Sequence, residues 1–279
     1  MINNLVSSDV IANGVKLHYY RTGGAKPALV MVHGITDDGL CWMPVAEILS
    51  QKFDLIMVDL RAHGKSEAPD QGYTIEDLAI DLAHLIRGLE LEKPIILGHS
   101  LGAITSLVLA GLYPDLPRAV ILEDPPPLWF QDDSHHANVD FLSDMAEWII
   151  SNKRKTKDDL LAEVQSDNPA WSPAELDPWA DSKHRYSLKV VELIYPRASA
   201  SIDFSSLLPR VKCPVLLISA DTSLGAITGE DAIAKLNESV PSLQVIQITG
   251  AGHNISRDQF VPYIETVEKF ISRLFVSAD

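Results

Sequence analysis

The chain has 279 residues, 46% of them hydrophobic, and a formal net charge of -15 at pH 7. That length holds one large α/β core, or a core with a smaller insertion. So acidic a surface argues against nucleic acid or an anionic membrane as partner, and the two cysteines, Cys41 and Cys213, match no metal spacing and call for no disulfide.

Met1-Ile2-Asn3-Asn4-Leu5 lacks the basic region and apolar segment of a targeting leader. No run approaches the ~18 apolar residues of a membrane span, so the expectation is a soluble, cytoplasmic protein. Residues 8–21 alternate apolar and polar around Asn13-Gly14, the signature of a β-hairpin. Residues 28–32 are continuously apolar and predict a strand buried on both faces. A helix is expected over about 42–51 and a buried strand over 53–58. Residues 73–89 predict an amphipathic helix, with Ile75, Leu78, Ala79, Leu82, Leu85 and Ile86 on one face. A short apolar run at 94–97 and a long Ala- and Leu-rich one at 103–110 read as strand, then helix. The apolar run at 118–122 stops at Glu123-Asp124-Pro125-Pro126-Pro127. Three prolines cannot continue a central strand, so the two acids stand at a strand's carboxyl end, where open α/β sheets place their sites.

From about 127 to 200 the character changes. Trp129, Trp148, Trp171 and Trp179 fall here among dense charges, and short helices are expected over 140–151, 156–165 and 182–195. Strand patterns return at 214–218 and 243–248, with helices near 229–240 and 256–275. The fold class expected is α/β, a doubly wound and mainly parallel sheet. Its core spans 1–126 and 201–279, with a helical insertion over 127–200.

Between the strand at 94–97 and the helix at 103–110 stands Gly98-His99-Ser100-Leu101-Gly102. A serine on a sharp strand-to-helix turn presents its hydroxyl at the end of the sheet, with the free N–H groups of the helix start beneath it. That hydroxyl is a poor nucleophile without a base, and histidine titrates near neutrality. Of nine histidines, His253 stands out in Gly250-Ala251-Gly252-His253, after the last strand. His99 adjoins Ser100, but adjacent side chains on such a turn point apart. His135-His136, beside Asp132-Asp133, read as solvated rather than as metal ligands.

Three motifs in order resemble the α/β-hydrolase superfamily over nearly the whole chain: His33-Gly34 after the strand at 28–32, the Ser100 elbow, and Gly252-His253. The resemblance implies Ser100 as nucleophile, His253 as base, and an oxyanion hole made by the backbone N–H groups of Ile35 and Leu101. It implies a small-molecule substrate and neither a metal nor an organic cofactor; it leaves the oligomeric state open. The segment 127–200 falls where the family inserts a cap, and Trp129, Trp148 and Trp179 are its candidates for substrate contact. Asp59 to Ser66 resembles the family's D-x-R-G-H-G-x-S loop, with Ala62 in place of the first glycine. Arg61, His63 and the His33 side chain are read as loop structure.

The acid departs from the commonest pattern. The family's usual acid follows the strand at 214–218, where this chain has Ser223, with Asp221 two residues early. A minority, including some serine hydrolases of small carboxylated substrates, places it after the strand that follows the elbow helix. Asp124 fits that place and is taken as the acid, with Asp221 and Glu123 as the alternatives. The implied activity is serine hydrolysis of a small ester, lactone or amide through an acyl-enzyme. One alternative is C–C bond hydrolysis of a diketone-like ring-cleavage product, with Arg185 or Arg197 for its acidic group. The other is a ligand receptor on a hydrolase scaffold.

Overall fold

Asn13 and Gly14 take the left-handed backbone that a two-residue hairpin requires, with φ of 52° and 76°. They join β1 (Val6–Ala12) to β2 (Val15–Arg21), with Ala12 opposite Val15 and Val6 opposite Arg21. The computed structural model describes residues 2, 5–130, 139–195 and 198–275. Asp132, Asp133, His135, His136 and Arg197 lie outside them.

The remaining strands are β3 (Ala28–Val32), β4 (Asp54–Val58), β5 (Ile95–His99), β6 (Ala119–Glu123), β7 (Val215–Ser219) and β8 (Leu243–Gln247). The helices in chain order are α1 (Met43–Leu49), α2 (Ile75–Gly88), α3 (Leu101–Leu112), α4 (Val139–Asn152), α5 (Lys157–Asp167), α6 (Pro173–Arg185), α7 (Phe204–Leu207), α8 (Glu230–Ser239), α9 (Ile255–Asp258) and α10 (Phe260–Arg273). One sheet holds the strands in the order β1-β2-β4-β3-β5-β6-β7-β8. β2 meets β4 antiparallel, and every pairing from β4 to β8 is parallel.

Continuous apolar runs are what a sheet covered on both faces needs, and β4 to β7 are buried along their length. Successive residues feed opposite layers. Val30, Val32, Ile56 and Ile96 pack with Leu78 and Leu82 of α2 and Ile104 and Val108 of α3. Leu29, Met31, Leu55 and Leu97 pack with Val45 and Leu49 of α1 and Val267 and Phe270 of α10. The helix α2 begins at a reciprocal cap: Thr74 Oγ1 accepts from Asp77 N–H, and Asp77 Oδ2 accepts from Thr74 N–H, each at 3.0 Å. Among the described residues no helix is long and apolar enough to cross a membrane.

Two helix expectations are corrected. The helix expected over 182–195 is instead α6, ending at Arg185, followed by a 3₁₀ helix over Leu188–Ile194. Ser172 and Glu175 form a capping box with Pro173 in the first turn, a strong start signal, while Pro178 inside the helix hides its continuation. The helix expected over 256–275 is broken at Gln259, which has φ of -135°. Pro262 has no N–H to offer Asp258, so the chain restarts as α10. Most other helix and strand ends fall within one or two residues of the expected ones.

This topology positions the site. Val32 pairs with Gly98, and His99 with Glu123. The loops leaving β3, β5 and β6 therefore emerge side by side at the carboxyl edge of the sheet.

Candidate active site

Ser100 leaves β5 with φ of 51° and ψ of -114°, a backbone rarely taken by a residue with a side chain. Its neighbours explain how the turn closes. A Cβ on Gly98 would fall 2.4 Å from the Gly102 carbonyl oxygen, and one on Gly102 would fall 2.1 Å from that of Val32. Only glycine lets α3 start so close to β3 and β5.

The loop after β8 brings His253 back over this turn. Its Nε2 accepts from Ser100 Oγ–H at 3.0 Å, and its Nδ1–H donates to Asp124 Oδ2 at 2.7 Å. Asp124 is fully buried at the end of β6, in a left-handed conformation with φ of 38°. The N–H groups of Ile227 and Thr228 donate to its two oxygens, each at 2.9 Å. Burial works to raise its pKa, but these bonds and the His253 ring hold it below the ordinary carboxylate value. Ile35 and Leu101 line the same cavity as Ser100, and their N–H groups find no acceptor among the described residues, as an oxyanion hole requires.

The loop behind Ile35 is built from neutral histidines. His33 Nε2 accepts from Leu60 N–H at 3.0 Å while its Nδ1–H donates to the Gly34 carbonyl at 2.7 Å. His63 Nε2 accepts from Thr36 N–H at 3.3 Å. Burial lowers both pKa values. Arg61 is locked in a buried pair with Asp81 at 2.6 Å. Ala62, where the resembling loop has glycine, takes φ of 65°, the conformation that glycine would serve without strain.

Ser100, Leu101 and His253 open onto a cavity of about 1420 Å³. Trp148 and Trp179 line it; Trp129 does not. The Trp129 indole N–H donates to the Ala232 carbonyl at 2.8 Å and its ring packs in the core, which corrects its reading as a substrate contact. His99 is not the base, but it supports the residue that is placed as one. Its ring lies 4.8 Å from that of His253 and lines the cavity, and its Nε2–H holds the His253 carbonyl at 3.0 Å. Burial, then the charges of His253 and Arg257, push its pKa down to about 3, so it is neutral.

A further charged group at the cavity has no counterpart in the motifs. Asp37 bonds Lys183 of α6 at 2.8 Å and Arg257 of α9 at 2.6 Å, and all three line the cavity. Burial would raise the Asp37 pKa, but the two cations hold it well below the carboxylate range.

A family model described as the alpha/beta hydrolase fold matches residues 27–258. The chain belongs to the α/β-hydrolase family. It is 30% identical over 275 residues to N-formylmaleamate deformylase of Pseudomonas putida, covering 98% of each chain. It is 30% identical over 265 residues to 2-(acetamidomethylene)succinate hydrolase of Mesorhizobium japonicum, covering 90% of each. A crystal structure of E-2-(acetamidomethylene)succinate hydrolase superposes with a TM-score of 0.82 at 26% identity, over 96% of this chain and 100% of that one. With this family and these relatives, the chain is a hydrolase.

As an α/β-hydrolase the chain offers two other acids, and neither reaches His253. Asp221 accepts from Gly250 N–H at 2.7 Å and from the Gln247 amide at 3.2 Å, so it shapes the loop leading to His253. Glu123 Oε1 accepts from Ser256 N–H at 2.8 Å, tying β6 to α9. Its Oε2 is buried with the Tyr263 phenol beside it. Burial pushes the Glu123 carboxyl from 4.5 up to about 7. The folded protein keeps this proton where the unfolded chain has released it. The stability it contributes is therefore full below about pH 4.5 and is lost as pH rises through 7. Glu123→Gln keeps the acceptor for Ser256 and removes the titration. Relative to the parent, the variant is expected to gain stability between pH 4.5 and 7, by up to roughly 3 kcal/mol. Urea melts of both chains across that range check this; parallel pH profiles would show that Glu123 is ionised in the fold.

Proposed function

We propose that this hydrolase works through Ser100, cleaving the acyl bond of a small amide or ester, with amide hydrolysis the principal activity. The observation that carries the reading is the unbroken hydrogen-bond chain from Ser100 Oγ through His253 to Asp124. His253 takes the Ser100 proton as Oγ attacks the carbonyl. The Ile35 and Leu101 N–H groups receive the oxyanion. His253 then gives the proton to the leaving amine or alcohol and activates the water that frees the acid from Ser100. Asp124 holds the imidazole in the tautomer that leaves Nε2 open to the hydroxyl. Trp148 and Trp179, from the segment proposed as a cap, wall the acyl site. The preference for amides is supported by the two relatives, since both substrate names contain an amide and an acid.

The C–C reading draws less support. Arg185 donates to Asp38 at 2.5 Å and does not line the cavity.

The test is covalent. A fluorophosphonate, which needs an activated serine, is expected to add one equivalent to the folded protein. Peptide mass mapping should place the adduct on Ser100. An unlabelled folded protein, or an adduct on another serine, would overturn the mechanism.

A further inference from the structure

The cavity wall beside Ser100 carries more positive charge than it balances. Asp37 is one carboxylate shared between two cations, Lys183 through Oδ1 at 2.8 Å and Arg257 through Oδ2 at 2.6 Å. Their side chains are 1% and 10% exposed. The trio is left with a formal charge of +1 out of bulk water, an arrangement that favours an incoming anion.

The two cations differ in what they have left to offer. Lys183 Nζ is surrounded by Asp37 Oδ1, Thr36 Oγ1 at 3.1 Å, the Thr36 carbonyl at 3.3 Å and Ser182 Oγ at 3.2 Å, which exhausts its three N–H donors. Arg257 donates to Asp37 and, at 2.8 Å, to Asn254 Oδ1, which leaves three of its five N–H donors without an acceptor among the described residues. The Trp171 ring lies over the guanidinium at 5.1 Å and helps fix its plane. A planar fork with open donors is the geometry that grips a carboxylate through two bonds.

Its place is close to the chemistry. Thr36, which Lys183 contacts, follows Ile35; Asn254, which Arg257 contacts, follows His253. Glu163 and Asp167 also line the cavity, but both are exposed, and Glu163 pairs with Lys155. Solvent and salt screen such carboxylates.

We propose that Arg257, backed by the Asp37–Lys183 pair, binds a free carboxylate of the substrate and makes this hydrolase selective for acyl compounds that carry one. This rests on the Ser100 reading for its catalytic half. The rival account is that the trio only clamps α6 and α9 to the loop after β3, which would affect all substrates alike.

The experiment compares monomethyl succinate with methyl butyrate, which differ by a carboxylate in place of a methyl group, with proton release as the readout. Wild type is expected to favour the hemi-ester by at least ~10-fold in kcat/KM, since a site built to bond a polar group discriminates against its absence. Arg257→Gln should cut that ratio at least ~10-fold, chiefly through KM for the hemi-ester, and Arg257→Lys should restore part of it. A wild type with no preference, or a ratio unchanged in Arg257→Gln, overturns the proposal. A second arm keeps Arg257 intact and does not depend on turnover. Ser100→Ala is titrated with succinate and with butyramide by calorimetry, at low and at high NaCl. Salt-sensitive binding of succinate alone supports the carboxylate site even if Ser100 proves not to be the nucleophile. Equal or absent binding of the two overturns it.

Discussion

Ser100→Ala is expected to lower kcat by at least ~10³ on short p-nitrophenyl esters, acetate to octanoate, and on N-formyl amides. Its melting temperature should stay within about 2 °C of wild type, a shift worth under ~1 kcal/mol in a chain of this size. The two expectations follow from one geometry. Ser100 Oγ makes its hydrogen bond to His253 Nε2 and to no other described residue, so its loss removes one half-buried contact. Alanine accepts the same φ and ψ as serine. The Ile35 and Leu101 N–H groups remain, so a residual rate above that of water is expected from oxyanion binding alone. Steady-state kinetics beside a thermal melt read both. Turnover within ~10-fold of wild type would mean that Ser100 is not the nucleophile. An unfolded variant would mean that the elbow needs the hydroxyl for its structure.

What the sequence reveals about this site depends on how far apart the interacting residues stand. The elbow is legible because its pattern is local: Gly98 is fixed by the start of α3 itself, and Gly102, though it is β3 that its Cβ would strike, stands at a fixed spacing from Ser100. The hairpin at Asn13-Gly14 is legible for the same reason. The acid is not decided locally. Asp124 meets His253 across 129 positions because β6 lies next to β5 in the sheet, and sequence spacing favours it without excluding Asp221 or Glu123. The Asp37 trio is harder still. Its members come from three elements, with Asp37 146 residues from Lys183 and 220 from Arg257, and no motif marks a charge pair of that kind. His99 hides behind a rule about adjacent side chains that holds for direction but not for reach. The tryptophans show the limits of composition: Trp129 and Trp179 stand in the same stretch, yet one packs against α8 and the other faces the cavity.

Asp124→Asn is expected to lower kcat by ~10³–10⁴, while Asp221→Asn should stay within ~3-fold of wild type. The carboxylate of Asp124 accepts three N–H groups, His253 Nδ1 and Ile227 N at Oδ2 and Thr228 N at Oδ1. Asparagine supplies one oxygen for them. If that oxygen faces Thr228, the amide NH₂ faces His253 and drives the imidazole to the tautomer with its proton on Nε2, which can no longer accept from Ser100. If the oxygen faces His253 instead, the NH₂ meets the Thr228 N–H with no acceptor between them, and the negative charge that steadies an imidazolium is gone. Either orientation costs catalysis, and either leaves one backbone N–H without its acceptor, Ile227 in the first and Thr228 in the second, at about 1–3 kcal/mol of stability for the unmade bond. Among the described residues the Asp221 carboxylate meets only Gly250 N–H and the Gln247 amide, neither of which belongs to His253. The kcat of the two variants, with melting temperatures measured alongside, separates the positions. A larger kcat loss in Asp221→Asn would return the acid to the strand where the family usually carries it. Equal losses in both would mean that the loop's shape, rather than the charge at Nδ1, governs the base.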